Sequence, residues 1–311
     1  MSIAAHTTTD GRLLADLDQP MFDARFNRRP FRIGHHLADH RLFSLPRLIE
    51  LSKALPESRV EYNSGKLPVS QDPSSTPRNG LAIDETIRRI EECSSWMVLK
   101  NVELDEEYSD LLNSCLAEVR QFSDRVSPGM KHQAGFIFIS SPGSVTPYHI
   151  DPENNFLLQI RGQKSVYMFP QDDRDILTEE NLEAFFTGGH RNLPYEKWYD
   201  ERSERFELNP GDGLHFPVAA PHWVQNGPEV SISFSITFQT KDSADRRSLH
   251  RLNREMRRWG IQPTGVGRSP WRDAAKLGLV SGIRAAKRMV GIRDKAAAPA
   301  GMAAYGKEAK S

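Results

Sequence analysis

The sequence predicts a mainly β protein with flanking helices, built as a double-sheet barrel or jelly roll, and three observations predict it. Short apolar or alternating runs at 136–140, 156–160, 164–169, 206–208, 214–216 and 231–238 recur between turns containing Gly, Pro or Asn, the pattern of short strands closing on themselves. The stretch Val-Thr-Pro-Tyr-His-Ile-Asp at 145–151 also looks like strand, and it places His149 and Asp151 two residues apart, so alternation aims both side chains the same way. A second imidazole, His222, comes from Ala-Pro-His-Trp at 220–223, and a barrel lets it meet the first pair. Two His and one carboxylate form the facial arrangement that leaves coordination positions open on non-haem Fe(II), an oxygenase site.

Each element follows from local chemistry. Residues 1–20 are polar and irregular and are expected to be flexible. Residues 22–33 read as an entry helix that breaks at Pro30 into a short strand. Ser44 is placed to cap a helix with Pro46 in its first turn, and Leu45, Leu48, Ile49, Leu51 and Leu55 follow at mostly helical spacing until Pro56. A strand is expected at 58–62, a loop near the site mouth or a plain connector at 64–80, a helix capped by Asp84 running to Cys93, a strand at 96–102 and an amphipathic helix at 105–122. The expected organisation is a supporting region at 21–130, a catalytic barrel at 131–240, basic C-terminal helices at 241–295 and a disordered end at 296–311. Residues 171–200 form a polar insertion into the barrel, with a helix near 179–185.

Composition narrows the class. At 311 residues, with 38% hydrophobic and 26% charged residues, the chain is an ordinary globular protein. No apolar run is long enough to span a bilayer, and the first residues lack the charged and apolar regions of a secretory signal, so a cytoplasmic protein is expected. Cys93 and Cys115 are the only cysteines and form no CxxC pair, which argues against a disulfide framework or a zinc site. Net charge is zero but uneven: from Lys241 onward there are seventeen Lys/Arg against six Asp/Glu. Within this basic segment, residues 270–292 read as a helix with Trp271, Ala275, Leu279, Ile283, Ala286 and Val290 in one stripe. Such a helix can lie on an anionic membrane, dock on an acidic partner, pair with a second copy or pack on its own core.

The run VTPYHID, Lys164 fifteen residues after its His, and PGDGLHFPVAAPHWV together resemble the JmjC or cupin-like Fe(II)- and 2-oxoglutarate-dependent oxygenases, most closely the asparaginyl hydroxylases of the type that inhibits hypoxia-inducible factor. The resemblance covers about 135–240. It implies a double-stranded β-helix core with iron held by His149, Asp151 and His222. It also implies that Lys164 and Thr146, on neighbouring strands, bind the distal carboxylate of 2-oxoglutarate, with Asn155 near the metal-bound end of that cosubstrate. Thr237 falls where the family carries a second amide and departs from its pattern. The implied reaction uses Fe(II), 2-oxoglutarate and O₂ to hydroxylate a C–H bond, on a peptide or protein side chain. A small-molecule or lipid hydroxylase and a non-catalytic ligand sensor are the alternatives. The resemblance also implies a homodimer formed through the C-terminal helices.

Competing assignments bear on single residues. A lone HxD is usually a strand pair or turn, and the second His with the Lys is what reverses that. His215 is the rival ligand, seven residues before His222, but its place before Pro217 suits packing or support of the site. Asp212 is expected to serve its turn, and Tyr148 and Trp223 to be core or rim aromatics more readily than pocket walls. His35, His36 and His40 are expected to form a solvated face.

Overall fold

Side-chain alternation in the barrel strands divides the apolar residues between two layers, and a third forms under the insertion. The structure is a computed structural model and describes residues 11–71 and 79–289. In chain order, the N-terminal part comprises β1 (Leu14–Ala15), α1 (Gln19–Arg25), β2 (Phe31–His35), α2 (Leu45–Ala54), β3 (Val60–Ser64), α3 (Ile83–Arg88), β4 (Ser95–Lys100) and α4 (Glu106–Val126). The barrel follows with β5 (Lys131–Ser140), β6 (Val145–His149), β7 (Asn154–Arg161), β8 (Lys164–Met168), the inserted α5 (Glu179–Phe186), β9 (Glu204–Leu208), β10 (Asp212–Phe216), β11 (His222–Asn226) and β12 (Ser231–Gln239). Two helices close the described chain, α6 (Lys241–Arg258) and α7 (Pro270–Met289).

The strands form an eight-stranded sheet in the order β1-β2-β10-β7-β12-β5-β4-β3 and a four-stranded sheet in the order β6-β11-β8-β9. Their pairings are antiparallel. This is the double-sheet fold expected from the strand pattern. Between the sheets lie Leu157 of β7, Val166 and Met168 of β8, Leu214 and Phe216 of β10 and Val224 of β11. The alternate residues of the large sheet, among them Phe156, Leu158, Phe234 and Ile236, pack outward on Phe22, Leu48, Tyr108 and Leu116 of the helices. Because β12 has neighbours on both edges and cores on both faces, all nine of its residues are buried. A separate cluster of Tyr148, Phe169, Leu182, Phe185 and Tyr199 seats the insertion on the small sheet.

The region before 131 extends the barrel itself, because β1 to β4 supply half of the large sheet. Several expectations are corrected. The N-terminus is not loose as far as residue 20: Leu14 is buried, and the amides of Leu13 and Leu14 donate to the Glu118 carboxylate at 2.8 and 3.0 Å. Residues 1–10 lie outside the described residues. His35 is not solvated but buried in β2, its ring bonded to Gln159 O at 2.9 Å. α3 ends at Arg88, short of Cys93, and begins after Ala82 with no side-chain cap, while Ser44 also makes no capping hydrogen bond. The expected long helix from 270 holds as far as Met289. Its last turn and the end at 296–311 fall outside the described residues. Cys93 and Cys115 are free thiols.

Candidate metal centre

His149 ends β6, and His222 starts β11 directly opposite it. Their rings lie 4.0 Å apart between centroids. Asp151, just past the end of β6, sends one carboxylate oxygen, Oδ2, to 3.6 Å from Nε2 of each imidazole. One ligand atom from each of the three residues lies within 4.8 Å of the others, and this is the cluster of its kind found among the described residues.

The two rings are held in one tautomer. His149 Nδ1–H donates to Pro147 O at 2.6 Å and His222 Nδ1–H to Ala220 O at 2.9 Å, so both Nε2 lone pairs face Asp151. Protonation state favours a cation as well. Burial pulls His149 below the ordinary imidazole range, and burial together with His149 pulls His222 down to about 3. Burial opposes ionisation of Asp151, but the Arg191 guanidinium overcomes it and holds the carboxyl well below its usual range. At neutral pH the set is therefore two neutral nitrogens and one carboxylate, the donor chemistry of a divalent metal with positions left open. The residues fit the metal that the sequence resemblance implies.

The loop before β11 secures this geometry. Ala219 adopts φ 56°, a left-handed conformation that a residue with a Cβ occupies at a cost, and its amide donates to Asp151 O at 2.8 Å. The strained turn thus ties the backbone of one ligand to the segment that delivers another.

Thr146 reaches the barrel interior through a register shift. Between His222 and Val224, β11 advances two residues while β6 runs from His149 to Thr146, three residues, so a bulge puts Thr146 on the face that Val224 and His149 share. Lys164 pairs across β8 and β11 with Asn226. The expected adjacency of the Thr146 and Lys164 strands is corrected here, because β11 runs between β6 and β8. Both residues still share the inward face through their β11 partners. Lys164 is 5% exposed, and burial alone pulls its ammonium down to about 7. Among the described residues no carboxylate pairs with it.

Asn155 and Thr237 face each other across β7 and β12, on the inward side that Leu157 marks. Ser235 Oγ donates to Asn155 Oδ1 at 2.6 Å, and the Thr237 hydroxyl donates to Ala134 O at 3.0 Å. The proton of Thr237 is thereby committed to the backbone, and Ser235 is the hydroxyl that orients the Asn155 amide. His215 lies on the opposite face. Its Nδ1–H donates to Asn155 O and its Nε2 accepts from Asn27 N–H, each at 3.1 Å, while its ring packs on Phe26, Phe31 and Phe156. It is a packing residue. Asp212 accepts from Asn209 N–H at 2.8 Å, as expected of a turn. Tyr148 is buried beneath the insertion, and Trp223 stacks on Tyr167 at 3.9 Å on the outer face of the small sheet, so neither lines the barrel interior.

The sequence reading missed Arg191 and Glu153. Arg191, from the insertion, places Nη1 3.0 Å from Asp151 Oδ1. Glu153 is pushed up to about 8 by burial and by Asp151. Two residues after Asp151, in the bend before β7, Glu153 carried a spacing signal that could have drawn notice. Arg191 carried none.

A family model described as a cupin-like domain matches residues 57–244. The chain belongs to the cupin-like domain family. Among curated relatives of this cupin-like chain, JmjC domain-containing protein D of Dictyostelium discoideum is 32% identical over 108 residues, covering 32% of this chain and 23% of that protein. Lysine-specific demethylase 8 of Danio rerio is 30% identical over 102 residues, covering 31% and 24%. The chain thus spans about a quarter of the length of the curated relatives it matches. Among solved structures, YcfD of E. coli superposes with a TM-score of 0.50 at 17% identity, covering 88% of this chain and 69% of that one. A second structure, of the E. coli ribosomal oxygenase YcfD, gives 0.50 at 16%, covering 92% and 69%. These likenesses show the fold.

Proposed function

We propose that this chain is an Fe(II)- and 2-oxoglutarate-dependent oxygenase that hydroxylates a C–H bond, with His149, Asp151 and His222 as metal ligands. The observation that carries the reading is the pairing of this convergent donor set with Lys164, a buried cation that no described carboxylate neutralises. A buried ammonium without a counter-charge is costly, and a dicarboxylate reaching from the metal offsets that cost. In this reading Lys164 and Thr146 hold the distal carboxylate, and Asn155, oriented by Ser235, lies toward the metal-bound end. Thr237 acts through the backbone it braces. When bound, iron with 2-oxoglutarate and O₂ supplies the oxidation, in which R–H becomes R–OH while 2-oxoglutarate becomes succinate and CO₂. The protein's own share is to fix the tautomers, exclude water and anchor the cosubstrate. Anaerobic addition of Fe(II) and 2-oxoglutarate should give a weak visible charge-transfer band. Tight 2-oxoglutarate binding with neither that band nor succinate in air would favour a ligand sensor.

A peptide or protein side chain is the proposed substrate. The support is that a ribosomal oxygenase and a lysine-specific demethylase stand among the similar proteins, and that the 171–200 insertion borders the metal centre through Arg191. Hydroxylation is favoured over demethylation by the nearest motif resemblance. Succinate release across fractionated lysate tests this, and stimulation confined to small-molecule or lipid fractions would contradict it. Among the described residues no helix is long and apolar enough to cross a membrane, and free Cys93 and Cys115 suit a reducing compartment, which supports the cytoplasmic reading.

Homodimerisation through the C-terminal helices is part of the same proposal. α7 turns Asp273, Lys276 and Arg284 toward its neighbours and leaves Trp271, Leu279 and Ile283 exposed at 71%, 55% and 44%. An outward apolar stripe suits a second copy. A Leu279→Lys variant should shift the protein to monomer in sedimentation. If the wild type is already monomeric, an anionic partner or membrane surface for the basic segment becomes the better reading.

A further inference from the structure

The insertion does more than border the site. Residues 190–193 run beside β6: Ile150 N–H donates to Arg191 O at 3.1 Å, Leu193 N–H donates to Tyr148 O at 3.1 Å, and Asn192 bridges to His149. Arg191 is therefore strapped by its backbone on both sides of a metal-binding residue. Leu193, two residues on, is anchored in the cluster under the insertion. From this strap the guanidinium reaches Asp151 Oδ1 at 3.0 Å, while Asp151 Oδ2 faces both imidazoles at 3.6 Å. The two oxygens of one carboxylate thus have different occupations.

We propose that Arg191 is a positioning residue of the metal centre: by holding Oδ1 it confines Asp151 to one-oxygen ligation through Oδ2 and so keeps open the coordination position that a two-oxygen carboxylate would take. The inference rests on the metal-site reading. A charge-assisted contact between groups this buried is strong and directional, and such partners of a ligand tune its metal affinity. The insertion thus supplies the charge that holds Oδ1.

The test is titration of metal-free protein with Co(II), read by calorimetry and by the visible d–d band. Wild type should bind, and Asp151→Ala should not. Arg191→Gln should bind about 10–100-fold more weakly with an altered band, and Arg191→Lys, which keeps charge but loses the planar fork, should fall between. A residue that served folding alone would lower the melting temperature of the metal-free protein and leave the band unchanged. Wild-type affinity and band shape in Arg191→Gln would overturn the assignment. Should that variant not fold, the band of Arg191→Lys decides, an altered one supporting the assignment and an unaltered one ending it. If wild type and Asp151→Ala bind alike, or neither binds, the metal-site reading fails instead.

Discussion

Lys164 carries a pH dependence whose sign follows from its burial. Its folded-state ammonium titrates near 7, below its ordinary range near 10.4. Between those values the unfolded chain binds more protons than the folded one, so this group's contribution to stability rises as pH rises through that window. Binding of a dicarboxylate runs the other way, because only the ammonium attracts it. The KM for 2-oxoglutarate should therefore climb from pH 7 to 9, by at most about tenfold per pH unit. Lys164→Arg, charged throughout, should flatten the profile, and an unchanged slope in that variant would detach Lys164 from the cosubstrate. His215 makes the opposite kind of prediction. His215→Leu strips partners from Asn27 N–H and Asn155 O and should cost about 1–3 kcal/mol in denaturant unfolding while leaving Co(II) affinity near wild type; lost affinity would return His215 to the ligand candidates. The closeness of His149 and Asp151 was legible because an HxD fixes their spacing, and His222 was legible from the PGD…P run before it. Arg191 was not, since its approach to Asp151 depends on where the insertion is pinned and on no local pattern.

At the scale of elements, alternation made the barrel strands readable, while register and edge membership stayed hidden. The bulge that turns Thr146 inward is a property of the β6–β11 pair, and neither strand announces it alone. The short strand expected after Pro30 is β2, but its pairing with β10 through Arg32 and Ile33 could not be read from its own residues. The start of α3 was misplaced by inferring a cap at Asp84, since the helix begins at Ile83 after Ala82, whereas Ser44 does stand at the N-cap of α2 but without a side-chain hydrogen bond. The turn between β7 and β8 was legible in Arg161-Gly162, and its reason is now physical. Gly162 has φ +67°, and a Cβ there would lie 2.4 Å from Val230 O. Gly162→Ala should therefore destabilise the protein by about 1–3 kcal/mol, measurable as a lowered urea midpoint, and a wild-type midpoint would show that this turn relaxes freely.

For the whole molecule, the fold class and the identity of the donor set could be read in the sequence, because both rest on short-range patterns repeated along the chain. The extension of the large sheet at both edges, by β1 and β2 beside β10 and by β4 and β3 beside β5, was not readable, because long-range pairing leaves no local mark. The candidate metal centre draws on both the barrel and the insertion. The most direct measurement of the central claim is succinate formed from 2-oxoglutarate in air by the Fe(II)-loaded protein, wild type beside Asp151→Ala. Wild type is expected to release succinate and CO₂ in equal amounts even without a prime substrate, and Asp151→Ala none above background. Equal succinate from both proteins would contradict the site, and none from wild type with any lysate fraction would contradict the activity.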